Sequence, residues 1–385
     1  MGGDIQLDFK FQSPTVGSRS NNKDGLMQDV MNLVDPASQW VHEHGSYYAL
    51  PEKLPEHEKW IVRSALQKAI RRGNTELALE MGFKLLMIDQ TYTWYAINTV
   101  AVEDVGFGAP EALLWSNLSM LKTFRLQVGE LPLLSALITN LCERDKTRSC
   151  CELSWVVDTA HNGVLADYGK LETKELVEKV EQKDAGECYA ALAVLTGIVP
   201  KEVKSRPRDR EGMEMAKEVM RAQLPASTAL ACEMITQRPT DNMSVAVFPT
   251  FRMAYEADDI DVEEDHLPES VTVNGYASEA WDMHTMEGKK ALKAMHSQLK
   301  RKYEVLQQIP SRRIVSAMGN AVFTVEGAQV DKRIVNDDFL ALKKIQDDLG
   351  LTSTGVAPED VNRVLDVVRD HIPLLNELRQ WSANL

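Results

Sequence analysis

SALQKAIRRGNTELALEMGFKLLMIDQTYTWYAINTVAVEDVGFGAP, residues Ser64 to Pro110, carries a pattern more specific than helicity alone. Its first piece, with Trp60 to Arg72, places Ile61, Ala65, Leu66, Ala69 and Ile70 on one stripe at helical spacing. Lys68, Arg71 and Arg72 crowd the end of that helix, where cations complement the carbonyl end of the dipole. Gly73 then stands where a left-handed cap belongs, and Asn74 reads as the N-cap of a second helix with Glu76 in its first turn. That helix carries Leu77, Ala78, Met81, Leu85, Leu86 and Ile88. A third is predicted over about Trp94 to Asp104, stopped by Gly106-Phe107-Gly108-Ala109-Pro110.

The run Ser64 to Gly73, followed by Ala78-Leu79 and then by Glu103-Asp104-Val105-Gly106 and Ala109-Pro110, resembles one domain in order and spacing. It is similar to the C-terminal, oligomerising domain of the RarA/MgsA-type AAA+ ATPases, the Werner-helicase-interacting group. These are relatives of clamp-loader subunits that act at stalled replication forks. The likeness covers roughly Trp60 to Glu143, and nothing else in the chain matches a pattern we can quote. It implies an assembly role for Lys68, Arg71, Arg72, Glu103, Asp104 and Gly106, with the two acids packed against the three cations, a homo-oligomer, and partners among replication or repair proteins. It does not imply ATP hydrolysis. Only 63 residues precede Ser64, too few for an ATP-binding α/β module. The phosphate loop G-x-x-x-x-G-K-[ST] occurs nowhere, and Gly163 to Lys170 has the wrong spacing, with Leu171 in place of the Mg²⁺-binding hydroxyl.

The rest of the sequence adds helices and little chemistry. A chain of 385 residues is long enough for two helical parts that need no covalent staples. The net charge of −14 argues against binding nucleic acid over the whole surface, and leaves room for a local basic patch. Five cysteines, at 142, 150, 151, 188 and 232, form no CxxC pair. With no signal peptide and no apolar run of some 18 residues, we expect free thiols, a cytoplasmic location and no membrane contact. Residues 1–25 are polar and read as a disordered arm. His42-Glu43-His44 is surface or structure, since residues at i and i+2 do not share a helix face. The clustered Cys142, Cys150 and Cys151 lack the partner pair of a zinc site. Asp158 with His161 reads as a satisfied polar contact.

Residues 201–210 form the most basic loop, with Lys201, Lys204, Arg206, Arg208 and Arg210 among prolines. It reads as an exposed linker or a phosphate-contacting loop, and as the best domain boundary. Asn242 to Phe251 fits a strand about as well as a helix. The acidic run Glu256 to Asp265 lacks the spacing of a Ca²⁺ loop and is expected to be solvated, or to cover a basic patch. Trp281 to Lys290 leads into a helix with Ala291, Leu292, Met295 and Leu299 on one face, capped by Asp282 or Thr285. His284, Lys289 and Lys290 at that helix start have the ingredients of an anion site. Lys300, Arg301, Lys302, Arg312 and Arg313 extend the positive charge downstream.

We therefore expect an all-α, multi-helix bundle in two packed helical parts: an arm over 1–25, a domain over 26–200, a basic linker over 201–210, and a second domain over 211–385 with an acidic loop at 256–265. No catalytic residue, metal ligand or cofactor is expected. Three functions fit. The first is a non-enzymatic accessory or scaffold protein of DNA replication or repair, with local DNA contact through the cations named above. The second is an enzyme of phosphate chemistry built on His284 and Lys289. The third is a protein-interaction module or inhibitor acting on a replication or repair partner.

Overall fold

Helix α1 (Val34–His44) precedes the segment read first, which folds into α2 (Lys59–Arg71), α3 (Thr75–Ile88) and α4 (Gln90–Val100). The computed structural model describes residues 30–45, 58–160, 162–199, 207–237, 239 and 241–384. Gly73 has φ +64° and closes α2: its N–H donates to Ile70 O at 3.1 Å, and the Asn74 N–H reaches back to Ala69 O at 2.9 Å. That bond pair is a Schellman cap. The Asn74 side chain accepts from the Leu77 N–H at 3.1 Å and so starts α3 as its spacing predicts. The third helix departs from expectation. It ends at Val100, widens into a π-turn over Ala101–Val105, and tightens to 3-10 geometry over Gly106–Gly108. Pro110 then opens α5 (Pro110–Leu118). Such π-turns are rare and insert a residue into the helical ladder, which re-aims the side chains beside it.

The chain continues through α6 (Lys122–Val128), α7 (Glu130–Glu143), α8 (Ser149–Ala160), α9 (Asn162–Tyr168), α10 (Thr173–Glu181) and α11 (Ala185–Thr196). After the basic loop come α12 (Arg210–Gln223), α13 (Ala226–Gln237) and α14 (Asn242–Glu256). The segment that fitted a strand is thus helical. It is buried on almost every side and holds Pro249 within the helix, so hydrophobicity all round erased the helical period. Next are β1 (Asp261–Glu263), the hairpin β2 (Thr272–Val273) and β3 (Tyr276–Ala277), α15 (Met286–Leu299), α16 (Glu304–Gln307) and α17 (Ile314–Val322). A second π-turn, Phe323–Gly327, leads to β4 (Arg333–Val335), α18 (Asp337–Thr352), α19 (Val361–Asp370) and α20 (Ile372–Ala383). Pro373 splits the last two, because a proline is tolerated only in the first turn of a helix.

The fold is all-α, and two apolar cores organise it. The larger takes residues from Val30 to Ala280 together with Ile334 and Phe339, and the smaller takes residues from Ala291 to Leu378. The boundary expected at 201–210 does not separate them. Leu176, Leu192 and Leu195 before that loop share the larger core with Met213, Ala216 and Met220 after it. Proline and charge mark the loop as exposed but carry no information about where the flanking apolar faces go. The division falls instead near residues 281–290.

The acidic run is exposed, as expected, at every acid but Asp265, and part of it is tied down. Asp261 to Glu263 pair antiparallel with Val335 to Arg333, the Asp337 N–H donates to Asp259, and Asp265 takes a forked contact from Arg333 with Nη2 at 2.7 Å. The arm at 1–25 lies outside the described residues. Among the described residues, no helix is long and apolar enough to cross a membrane.

Candidate functional site

The π-turn after α4 points both of its acids at the end of α2. Arg71 is buried there and donates through Nε to Asp104 Oδ1 at 2.7 Å and through Nη2 to Glu103 Oε1 at 2.9 Å. Its remaining nitrogen, Nη1, donates to the Gly327 carbonyl in the second π-turn. Asp104 is wholly buried and also accepts from Gln67 Nε2 at 2.9 Å and from Arg148 Nη1. Burial alone would lower the Arg148 guanidinium, but Asp104 and Glu103 hold it raised, so it stays a cation. The Phe323 ring lies against both guanidinium groups, 5.5 Å from that of Arg71 and 5.1 Å from that of Arg148. Gly106, at φ +51°, turns the chain out of this knot. A Cβ there would lie 2.7 Å from Thr147 Oγ1.

The expectation that Lys68, Arg71 and Arg72 share Glu103 and Asp104 holds for Arg71 alone. At about 100° per residue Lys68 lies between the other two, roughly 60° from Arg71 and 40° from Arg72, so the three share one face of α2 and part only in which partner each side chain reaches. Lys68 pairs with Asp282, whose other oxygen accepts from the His284 N–H at 2.9 Å. Burial alone would raise the Asp282 carboxyl, but the adjoining Lys68 ammonium outweighs it and holds the group at about 2. Arg72 pairs with Glu279 at 3.0 Å and donates to Pro268 O at 2.9 Å. Lys68 and Arg72 therefore reach acids more than 200 residues further along the chain, while the acids that Arg71 reaches lie in the nearer turn.

The second π-turn repeats the device. Glu326, 2% exposed, faces Arg379 in a bidentate contact at 2.6 and 2.9 Å. Arg379 is fixed in turn by Trp281 O at 3.1 Å and Asn376 Oδ1 at 2.8 Å.

Between these groups lies a cavity of about 240 Å³, walled by Trp60, Trp281, Met283, Leu292, Val322 and Phe323 and by the ion pairs just described. Arg71 with Glu103, Lys68 with Asp282, and Arg379 with Glu326 neutralise one another around it. Proton transfer needs a group poised to change charge near the working pH. The paired carboxylates and cations here link the two cores through polar contacts. The cysteines are equally quiet. Burial pushes Cys142, Cys150, Cys151 and Cys188 up to about 12, far above the range of a reactive thiolate.

The other expected site residues are placed as follows. Lys201, Lys204 and Arg206 lie outside the described residues, as does His161. Arg208 donates to Gln237 O at 2.6 Å and Thr236 O at 3.4 Å, so it ties its loop to the end of α13. Arg210 is exposed at the start of α12. Asp158 accepts from the Tyr189 hydroxyl at 3.1 Å and from Asn242 at 2.6 Å; the contact expected with His161 falls outside the described residues. At the start of α15 the Thr285 hydroxyl accepts from the Gly288 N–H at 3.0 Å. The turn before it presses the Asp282 carbonyl to within 1.9 Å of where a Gly288 Cβ would sit. Two N–H groups of this turn are thus taken by the chain itself, that of Gly288 by Thr285 and that of His284 by Asp282. Lys290, Lys300, Arg301, Lys302, Arg312 and Arg313 are exposed and Lys289 is half-buried.

Sequence reasoning missed Gln67, Arg148, Glu279, Phe323, Glu326 and Arg379. One signal was present. In Val102-Glu103-Asp104-Val105-Gly106 and in Val325-Glu326-Gly327, an acid followed by glycine ends an apolar helix, and both places are π-turns. Comparison with protein-family models, with curated proteins and with solved structures found no match to this chain.

Proposed function

We propose that this chain is a non-enzymatic accessory protein of DNA replication or repair that works as a helical assembly scaffold. The observation that carries the reading is the interlock of the two sequence motifs at Arg71, Glu103 and Asp104. The family resemblance rests on those same residues, and they form the buried joint of the molecule instead of a reaction centre. The ion-paired acids of the cavity wall and the thiols held protonated by burial support the non-enzymatic half of the reading. The assembly half predicts self-association. Light scattering over a wide concentration range tests it, with a mass that grows as multiples of 43.2 kDa as the expected outcome. A strict monomer at every concentration overturns the scaffold. ATP turnover that co-purifies with the folded protein and is lost in a point variant overturns the non-enzymatic reading.

A further inference from the structure

Helix α15 buries one face and charges the other. Ala291, Leu292, Met295 and Leu299 enter the smaller core, where the helix packs on α17 and α20. At about 100° per residue, Lys289, Lys290, Lys293, Ser297, Lys300 and Arg301 fall within an outward arc of roughly 120°. Lys300 keeps helical dihedrals (φ −57°, ψ −20°) and its N–H donates to His296 O at 2.9 Å, so the last turn carries Lys300 and Arg301 onward on the same side. No acid sits within the arc, and the half-buried Glu287 borders it. None of these five cations makes an ion pair with a described residue. By contrast Lys68, Arg71, Arg148, Arg333 and Arg379 are all neutralised. In a chain of net charge −14, five unpaired cations on one side of one helix form a local reversal of the field.

We infer that this stripe is a contact surface for the sugar–phosphate backbone of nucleic acid. The stripe runs roughly 18 Å from Lys289 to Arg301 at the α-helical rise, with cations on most turns. It is long enough to meet several phosphates, which lie about 3.4 Å apart along the axis on each strand. The opposite face is locked in the core, so α15 lies along a backbone and does not enter a groove. The arc holds no aromatic ring to stack on a base and no amide to read a base edge, which makes the contact indifferent to sequence. A lipid surface does not fit. An interfacial helix gives its apolar face to the bilayer, and here that face is already buried. The inference stands on α15 alone: a monomer would carry the stripe as well as an oligomer, so its failure and the failure of the scaffold are read by different measurements.

Fluorescence anisotropy with a labelled duplex of arbitrary sequence tests the stripe. Engagement of about three phosphates gives a slope of log affinity against log salt near −3, a loss of roughly 60-fold between about 50 and 200 mM NaCl. The exposed pair Lys290→Glu and Lys293→Glu is expected to move the slope toward −1 and to weaken binding at least roughly tenfold at the lower salt, with an unchanged circular dichroism spectrum. The control variant, Lys170→Glu with Lys174→Glu, makes the same change in net charge on another exposed surface and is expected to bind nearly as the parent does. Three results overturn the inference: no binding at micromolar protein in about 50 mM salt, an equal loss in the control variant, or displacement of the DNA by polyglutamate as effective as by unlabelled DNA.

Discussion

The two π-turns do the same job with different amounts of insurance. At the first, Asp104 accepts from Gln67, Arg71 and Arg148, and Arg71 also holds Glu103. At the second, Glu326 has Arg379 as its one side-chain partner among the described residues. The first acid sits inside the larger core, where helices from several parts of the chain converge on it. The second sits where the smaller core meets the larger, and a single side chain from the last helix reaches it. Redundancy of partners, more than the number of bonds made by any one cation, should therefore set what a substitution costs.

The largest effect expected follows directly. Arg379→Met strands a carboxylate that is 2% exposed, and loss of one partner of a buried ion pair costs about 3–5 kcal/mol. Arg71→Met removes three hydrogen bonds, against four for Arg379→Met, and leaves Asp104 with Gln67 and Arg148, so it should cost less, about 2–3 kcal/mol. Urea unfolding of both variants checks the order, and a costlier Arg71→Met breaks the comparison. Adding Glu326→Leu to Arg379→Met sharpens it, because removing both charges together should recover most of the loss.

Gly106→Ala comes next. A side chain at φ +51° costs on the order of 1–3 kcal/mol, and the methyl also meets Thr147, which places this change at the upper end. No such sensitivity is expected at Gly327, which is not among the positive-φ glycines. Thermal melts of alanine variants at both positions make the test, and equal losses would show that the two turns are built alike.

The smallest effect concerns the tie across the cavity. Asp282 is held at about 2 against an ordinary value of 3.8, so its ionised form stabilises the fold on the order of 2 kcal/mol. The pKa is depressed on folding, so this contribution is complete above about pH 4 and is lost as pH falls toward 2. Asp282→Asn should therefore be less stable than the parent at neutral pH, with a gap that narrows below pH 4. A gap that keeps its size down to pH 2, followed by urea unfolding, would show that Lys68 gains nothing from the charge.

Local chemistry made much of the fold legible. The Gly73-Asn74 punctuation, the capping of α15 by Thr285 and the break at Pro373 all follow from residues within a few positions of the feature. The pairing of α2 with the Glu103-Asp104 turn was also legible, through the motif resemblance. What was not legible has one cause. Lys68 to Asp282, Arg72 to Glu279 and Arg379 to Glu326 join residues whose separation along the chain carries no periodic signal. The boundary at 201–210 failed for the same reason, since a polar loop can connect two halves of one core. Lys293 has no cation beside it in the sequence, and only its position on the helical arc groups it with Lys289 and Lys300.

The pairing of β1 with β4 has a consequence for how the molecule reaches this state. Between α17 and α19 the chain leaves the smaller core, lays Ile334 and Phe339 into the larger one, and comes back with Leu351. The smaller core is thus assembled from two stretches whose connection is threaded through its neighbour. It cannot finish packing until that neighbour offers a docking edge, so long-range loop closure falls late and on the critical path. The shared segment is expected to couple the two cores in one unfolding transition, which coincident urea curves by fluorescence and circular dichroism would check.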